Sequence, residues 1–393
     1  MRRLFLVLIS CMVLSGIVYF GFLTWKQIDH SSVAPLSADA ASKVKRPMHH
    51  KPAAKKIVTP SKPTDRVTLA KGKVINQLLA QSGFTGTVAV ISNNKIVLNK
   101  SYGHSDLRTH TPNTLHTRYY IGSMTKAITA VAFLQLREQH LIDFTNHVSD
   151  FYPAFPNGRR ITMIDLLDHV SGLGGDRESM TNLTRDQLVA KIAQLNPRLH
   201  SAPGTSWSYE DTNYALLGAI LDKICEAHFR ENLHDYCLHS IFSPSDMTQT
   251  GFGIAGEQSL NRSIPYFLSG RLIIEAYAPS FSQLLGCGDV YATAWDMYLF
   301  DHALASGRLL SSESMHELFR SRYPGTSYSM GWYLSRNGWG ENTNSSHGVL
   351  GGWNGSNAFT KDGRNYLILL SNFNNPHIHY DVLNKKIFAI LSK

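Results

Sequence analysis

Ile121-Gly122-Ser123-Met124-Thr125-Lys126, running on through Ala127 to Leu136, sets a hydroxyl and an amine at the mouth of a segment that is apolar on nearly every face. Such a segment reads as a central buried helix. Ser123 and Lys126 stand one turn apart and share a side of it. The helix start adds backbone N–H groups and a partial positive charge where an oxyanion would form. Burial strips water from the amine, so the Lys126 pKa is expected to fall and leave a neutral base for the serine proton. Spacing alone leaves two readings open. A capping serine followed by a surface lysine has the same pattern, and Ser42-Lys43-Val44-Lys45 repeats it far from this helix.

Working outward, Thr87-Val88-Ala89-Val90-Ile91 and Ile96-Val97-Leu98 flank Ser92-Asn93-Asn94-Lys95 and predict a hairpin, preceded by a short helical face of Val74, Leu78 and Leu79. The far end mirrors it. Ala358-Phe359-Thr360, the Asp362-Gly363 turn and Tyr366 to Leu370 predict two more strands, followed by a terminal helix carrying Val382, Leu383, Ile387, Phe388 and Leu391. The middle is mostly helical. The expected class is α/β (α+β), an antiparallel sheet from both termini flanked by helices, with an inserted helical lobe.

The N-terminus predicts a different environment. Arg2 and Arg3 precede Leu4–Trp25, 22 residues without a charge, long enough to span a hydrocarbon core of ~30 Å. The expected organisation is a cytoplasmic tip at 1–3, a transmembrane anchor at 4–25, a disordered basic tether at 26–72 and an extracellular two-lobed domain at 73–393. Two other readings of the run stay open: a lipoprotein box at Leu8-Ile9-Ser10-Cys11, and a signal peptide cut near Ala38-Asp39-Ala40.

The net charge of +9 hints at nucleic acid until it is divided along the chain. Residues 1–73 carry +10 and the remainder −1, so the basicity belongs to the tether and no nucleic-acid partner is expected. Those cations could attract a phosphate-bearing wall polymer or anionic lipid, or simply keep a spacer solvated. Cys225, Cys237 and Cys287 permit at most one disulfide and read as small buried residues. The 18 histidines, His49-His50 and His377-x-His379 among them, show no zinc-ligand spacing, so neither metal nor cofactor is expected.

Beyond the first motif come Leu166-Leu167-Asp168-His169-Val170-Ser171-Gly172-Leu173, Pro203-Gly204-Thr205, Tyr209-Glu210-Asp211-Thr212-Asn213-Tyr214, Gly286-Cys287-Gly288-Asp289 and Gly331-Trp332. In this order the stretches resemble the serine β-lactamase and penicillin-binding-protein superfamily, its class C-like branch, over nearly all of 84–393. The resemblance implies Ser123 as nucleophile, Lys126 as its partner and Tyr209 as proton relay. The tyrosine-x-asparagine motif of that family carries Asp211 here, an acceptor-only group suited to a cation on the substrate. The third family motif, lysine or histidine, a small residue and glycine on a strand, is expected at Val349-Leu350-Gly351, with Gly352 supplying the second oxyanion N–H beside that of Ser123. Val349 would then stand in place of the strand cation, with His347, one step away on the same face, as the alternative that would restore it, and Gly351 and Trp353 would complete the substrate-binding set.

Loss of that cation weighs against substrates with a free carboxylate, since an unpaired buried anion costs several kcal/mol. Membrane-anchored teichoic-acid D-alanyl esterases in the superfamily are similar in both departures. The expected function is therefore an extracellular serine hydrolase releasing D-alanine from D-alanyl esters of teichoic acid. The alternatives are a D-Ala-D-Ala carboxypeptidase or low-affinity penicillin-binding protein acting on peptidoglycan, and a non-catalytic wall-polymer binding protein.

Overall fold

The computed structural model describes residues 66–67, 69–175, 178–256, 258–334 and 342–393. The expected tip, anchor and most of the tether lie outside them. No helix among the described residues is long and apolar enough to cross a membrane.

The folded part starts earlier than expected. Arg66–Val67 pairs antiparallel with Leu98 and Asn99, and a helix follows at Leu69–Gln81, so the boundary at 73 moves back into the supposed tether. Pairing with an established strand outweighs the local lysine-rich composition there. On that helix Ile75 and Leu79 are buried while Val74 points to solvent, which corrects the expected apolar face by one residue.

An eight-stranded sheet runs in the order 66–67, 95–102, 86–92, 365–371, 353–360, 343–350, 332–334, 328–329. Its central strands come from the two ends of the folded region: Asn365–Ser371 pairs directly with Gly86–Ser92. Alternation along these strands divides the core. Val88, Val90, Leu367 and Leu369 face the Leu69–Gln81 and Tyr380–Ser392 helices together with Ile387 and Phe388. Ala89, Ile91, Ile368 and Leu370 face the larger core built around Thr125–Glu138. Full burial of each large aliphatic side chain in these layers is worth roughly 1.5–3 kcal/mol.

The Thr125–Glu138 helix is buried from Thr125 to Leu136, as its composition demands, and packs against the helix Asp211–Phe229 of the inserted helical lobe. The expected class and architecture hold. Cys225, Cys237 and Cys287 are free thiols, all buried.

Candidate active site

Gly122–Met124 forms a single 3₁₀ turn leading into the buried helix, so Ser123 sits just before the helix rather than on it. From the first turn of that helix, the Lys126 ammonium donates to Ser123 Oγ at 3.0 Å, to Asp211 Oδ1 at 2.5 Å and to the Cys287 carbonyl at 3.1 Å. Its nitrogen lies 5.0 Å from the centre of the Tyr209 ring. Ser123, Lys126 and Tyr209 are thus brought together, and a lysine with three acceptors around it is no solvated surface residue.

The charge state of Lys126 differs from expectation. Burial is the largest influence and does push the pKa down, but Tyr209, the Asp211 carboxylate and Cys287 together outweigh it, and the net shift is upward. Desolvation argued in isolation misses the anion at hydrogen-bond distance. The resting amine is an ammonium that donates to Ser123 instead of accepting from it. Asp211 opens the Asp211–Phe229 helix, where a carboxylate is favoured by the helix dipole. Its side chain is 42% exposed against 1% for Lys126, so it bridges the buried amine and the cleft.

His169, absent from the expected site, organises the tyrosine loop. Its ring stacks on Tyr209 at 4.3 Å between centroids. Nδ1 accepts from the Glu210 backbone N–H at 3.3 Å and from the Asn213 amide at 3.1 Å, so Nε2 carries the proton and donates to the Tyr328 hydroxyl at 3.1 Å. Burial first, then the Lys126 cation, hold the His169 pKa well below its usual value, keeping the ring neutral. The Ser208 N–H adds a bond to the His169 carbonyl at 2.9 Å. The signal lay in the Leu166–Leu173 stretch, whose spacing gives no hint that it folds under Tyr209.

Residues 72–391 match the family model described as Beta-lactamase. The chain belongs to this family. A Bacillus subtilis (strain 168) relative named as a penicillin-binding protein, PbpX, is 35% identical over 328 residues, 83% of this chain and 80% of that protein. The teichoic acid D-alanine hydrolase of Staphylococcus aureus (strain MRSA252) is 28% identical over 275 residues, covering 67% of this chain and 66% of its own. The crystal structure of FmtA from Staphylococcus aureus superposes with a TM-score of 0.74 at 24% identity, over 85% of this chain and 93% of the other, and carries the fold alone. A penicillin-binding protein from Bacillus halodurans superposes at 0.69 with 21% identity, over 80% and 98%. The fold is the family's β-lactamase/transpeptidase type, and the chain is a serine hydrolase of the β-lactamase and penicillin-binding-protein kind.

The family's strand motif falls three residues earlier than expected. A methyl built on Gly348 would overlap the Ile121 carbonyl oxygen and stand 2.9 Å from the Ser123 nitrogen, so this position admits only glycine. Gly122, at φ +53°, is pressed in turn against the Val349 backbone. The close-approach glycine of the triad is Gly348, and the triad reads Ser346-His347-Gly348. The cationic position holds Ser346, a neutral buried residue, which keeps the expected loss of charge but moves it from Val349.

Four expected site residues change place with it. Gly351 and Gly352 form the turn between the Thr343–Leu350 and Trp353–Thr360 strands, where a methyl on Gly352 would overlap the Tyr266 backbone. The backbone beside Ser123 is that of Gly348 and Val349, not Gly352. Trp353 is 2% exposed, donates its indole N–H to Ser263 Oγ at 2.9 Å and packs on Tyr120, a core contact in place of a substrate contact. His347 bonds Asn354 Oδ1 at 2.8 Å and lies beside the Tyr380 ring, and burial lowers its pKa. By strand alternation it occupies the face opposite Gly348, turned from Ser123.

Proposed function

We propose that this hydrolase releases D-alanine from D-alanyl esters of teichoic acid on the outer side of a cell membrane, held there by the apolar segment 4–25. The observation that carries the substrate class is the pairing of charges at the cleft. A half-exposed carboxylate, Asp211, reaches Lys126 beside the nucleophile, and the strand next to Ser123 offers Ser346 where a carboxylate-binding cation would stand. A D-alanyl ester has an ammonium next to its carbonyl and no free carboxylate on the acyl group, the complementary pattern. The Staphylococcus aureus relative named for this hydrolysis supports the same reading.

In the mechanism the substrate's ammonium settles against Asp211 and takes over part of the carboxylate that now holds Lys126. The Lys126 proton is released to water as the new cation arrives, so the charge of the site is unchanged. The neutral amine then takes the Ser123 proton while Oγ attacks the ester carbonyl. The Ser123 N–H and the Val349 N–H stabilise the oxyanion. As the C–O bond breaks, Tyr209 passes the proton from Lys126 to the polymer hydroxyl that leaves. Water attacks the D-alanyl-Ser123 ester by the reverse relay, and D-alanine departs.

Incubation of the protein with D-alanylated teichoic acid tests this: D-alanine release should exceed that of Ser123→Ala by orders of magnitude, and equal release overturns it. The 35% identical relative named as a penicillin-binding protein favours a second reading, D-Ala-D-Ala carboxypeptidase or penicillin binding. That reading requires a penicilloyl adduct of Ser123 by intact-mass measurement, which the esterase reading does not produce.

A further inference from the structure

Tyr266–Ser269 and Leu272–Glu275 pair as an antiparallel hairpin, with Phe267 opposite Ile274 and Ser269 opposite Leu272. Its second strand is the edge of a three-stranded sheet completed by Phe373–Asn374. Edge strands of soluble proteins are usually blunted by charge. Here Leu272 is 68% exposed, Ile273 52% and Ile274 40%. Side chains alternate across a strand, so Leu272 and Ile274 lie on one face and Ile273 on the other. Apolar groups project from both faces, with Arg271 at the turn, Glu275 at the base and Tyr277, 79% exposed, two residues further on.

A protein partner or second copy adding a strand to this edge would cover one border and leave one of the two faces wet. A bilayer interface surrounds such a projection on both faces. It also takes the arginine at phosphate level and the tyrosine at the boundary, where amphipathic aromatics collect. The chain outside the described residues favours the same occupant. The uncharged run Leu4–Trp25 ends only 40 residues before Asp65 gives way to the first strand, and residues 1–73 carry +10, a charge that favours an anionic surface.

We propose that the Tyr266–Glu275 hairpin docks into the outer surface of an anionic membrane and sets the orientation of the cleft toward lipid. Its base packs on the end of the strand that passes Ser123: the Ala276 N–H donates to the Pro265 carbonyl at 2.8 Å, and Tyr266 and Tyr277 lie against Gly352 and Gly351, at the turn a few residues beyond Gly348. Docking therefore presents Ser123 to esters close to the bilayer and selects a lipid-anchored polymer over one fixed in the wall. That selection rests on the esterase reading above, whereas the docking does not.

The full-length chain carries the test. In a Cys11→Ser background, with Cys225, Cys237 and Cys287 buried, an environment-sensitive fluorophore is placed at Ile273→Cys or, at the opposite end of the large sheet, at Lys95→Cys. Both proteins are reconstituted into vesicles of phosphatidylcholine and phosphatidylglycerol doped with doxyl-labelled lipid. The Ile273 probe should shift to the blue and be quenched, while the Lys95 probe stays as in water. Equal behaviour of the two overturns the docking, as does quencher-independent burial of the Ile273 probe that grows with protein concentration, the mark of a second copy. A further variant, L272S/I273S/I274S, should keep its rate on a soluble D-alanyl ester within about twofold and lose about tenfold on vesicle-bound D-alanylated polymer. Equal losses on both overturn the selection while leaving the probe result to stand or fall by itself.

Discussion

Lys126 and Asp211 form a 2.5 Å ion pair in which the cation is buried and the anion half-exposed, and this pair sets the resting charge of the site. Removing the carboxylate takes away a group that holds the ammonium. The amine should then lose its proton at lower pH. For Asp211→Asn, the acid limb of kcat/KM with a neutral acetyl ester should move to lower pH, while the preference for D-alanyl over acetyl ester collapses. An unmoved limb in the profile would show that Lys126 titration does not govern the reaction.

Neutral His169 supports Tyr209 by stacking and by two accepted hydrogen bonds. His169→Phe keeps the stack and removes the acceptor. Loosened placement of the phenol should lower kcat by about a hundredfold with little change in KM, since small displacements of a relay group cost on that scale. Thermal melting of the variant separates this from unfolding; loss of kcat with an unchanged melting point is the expected result.

Gly348 has no room for a side chain. Gly348→Ala should force the strand away from Ile121 and Ser123, destabilising the fold by about 1–3 kcal/mol and lowering kcat by about two orders of magnitude. Wild-type kcat/KM in this variant would contradict the assignment of the triad to Ser346-His347-Gly348.

His234 donates to the buried Asp289 carboxylate at 2.7 Å. Burial lowers its pKa, but Asp289 more than compensates and the net shift is upward. With the folded value above the unfolded one, the stabilisation is fully present below about pH 6.5 and is lost as pH rises through the folded value. His234→Gln should therefore narrow the melting-temperature gap to wild type as pH rises, from about 2 °C in mildly acidic buffer towards nothing in alkaline buffer. A gap that widens with pH would reverse the sign argued here.

The sheet was legible because Thr87 to Ile91 and Tyr366 to Leu370 are nearly unbroken apolar runs, buried on both faces so that they fill two core layers, and the buried helix because nearly every face of Ala127 to Leu136 is apolar. The Ser123, Lys126 and Tyr209 group followed from the family pattern. What stayed hidden depended on distances that no spacing encodes. The strand motif slipped by three residues because Gly351-Gly352 looks like the family's glycines, whereas only contact with Ile121 marks Gly348. Trp353 reads as a rim aromatic until Ser263 is seen to satisfy its indole. The charge of Lys126 turned on Asp211, 85 residues away in sequence. The Arg66–Val67 strand was masked by the lysines and prolines that precede it.

Ser346 has a bearing on drugs. Antibiotics of the penicillin type bring an obligatory anion to this strand, and here it would meet a buried hydroxyl next to a neutral imidazole turned the other way. On the esterase reading, a cell relying on this hydrolase would keep it running through such treatment, and an inhibitor designed for it should carry a positive head aimed at the helix opening opposite.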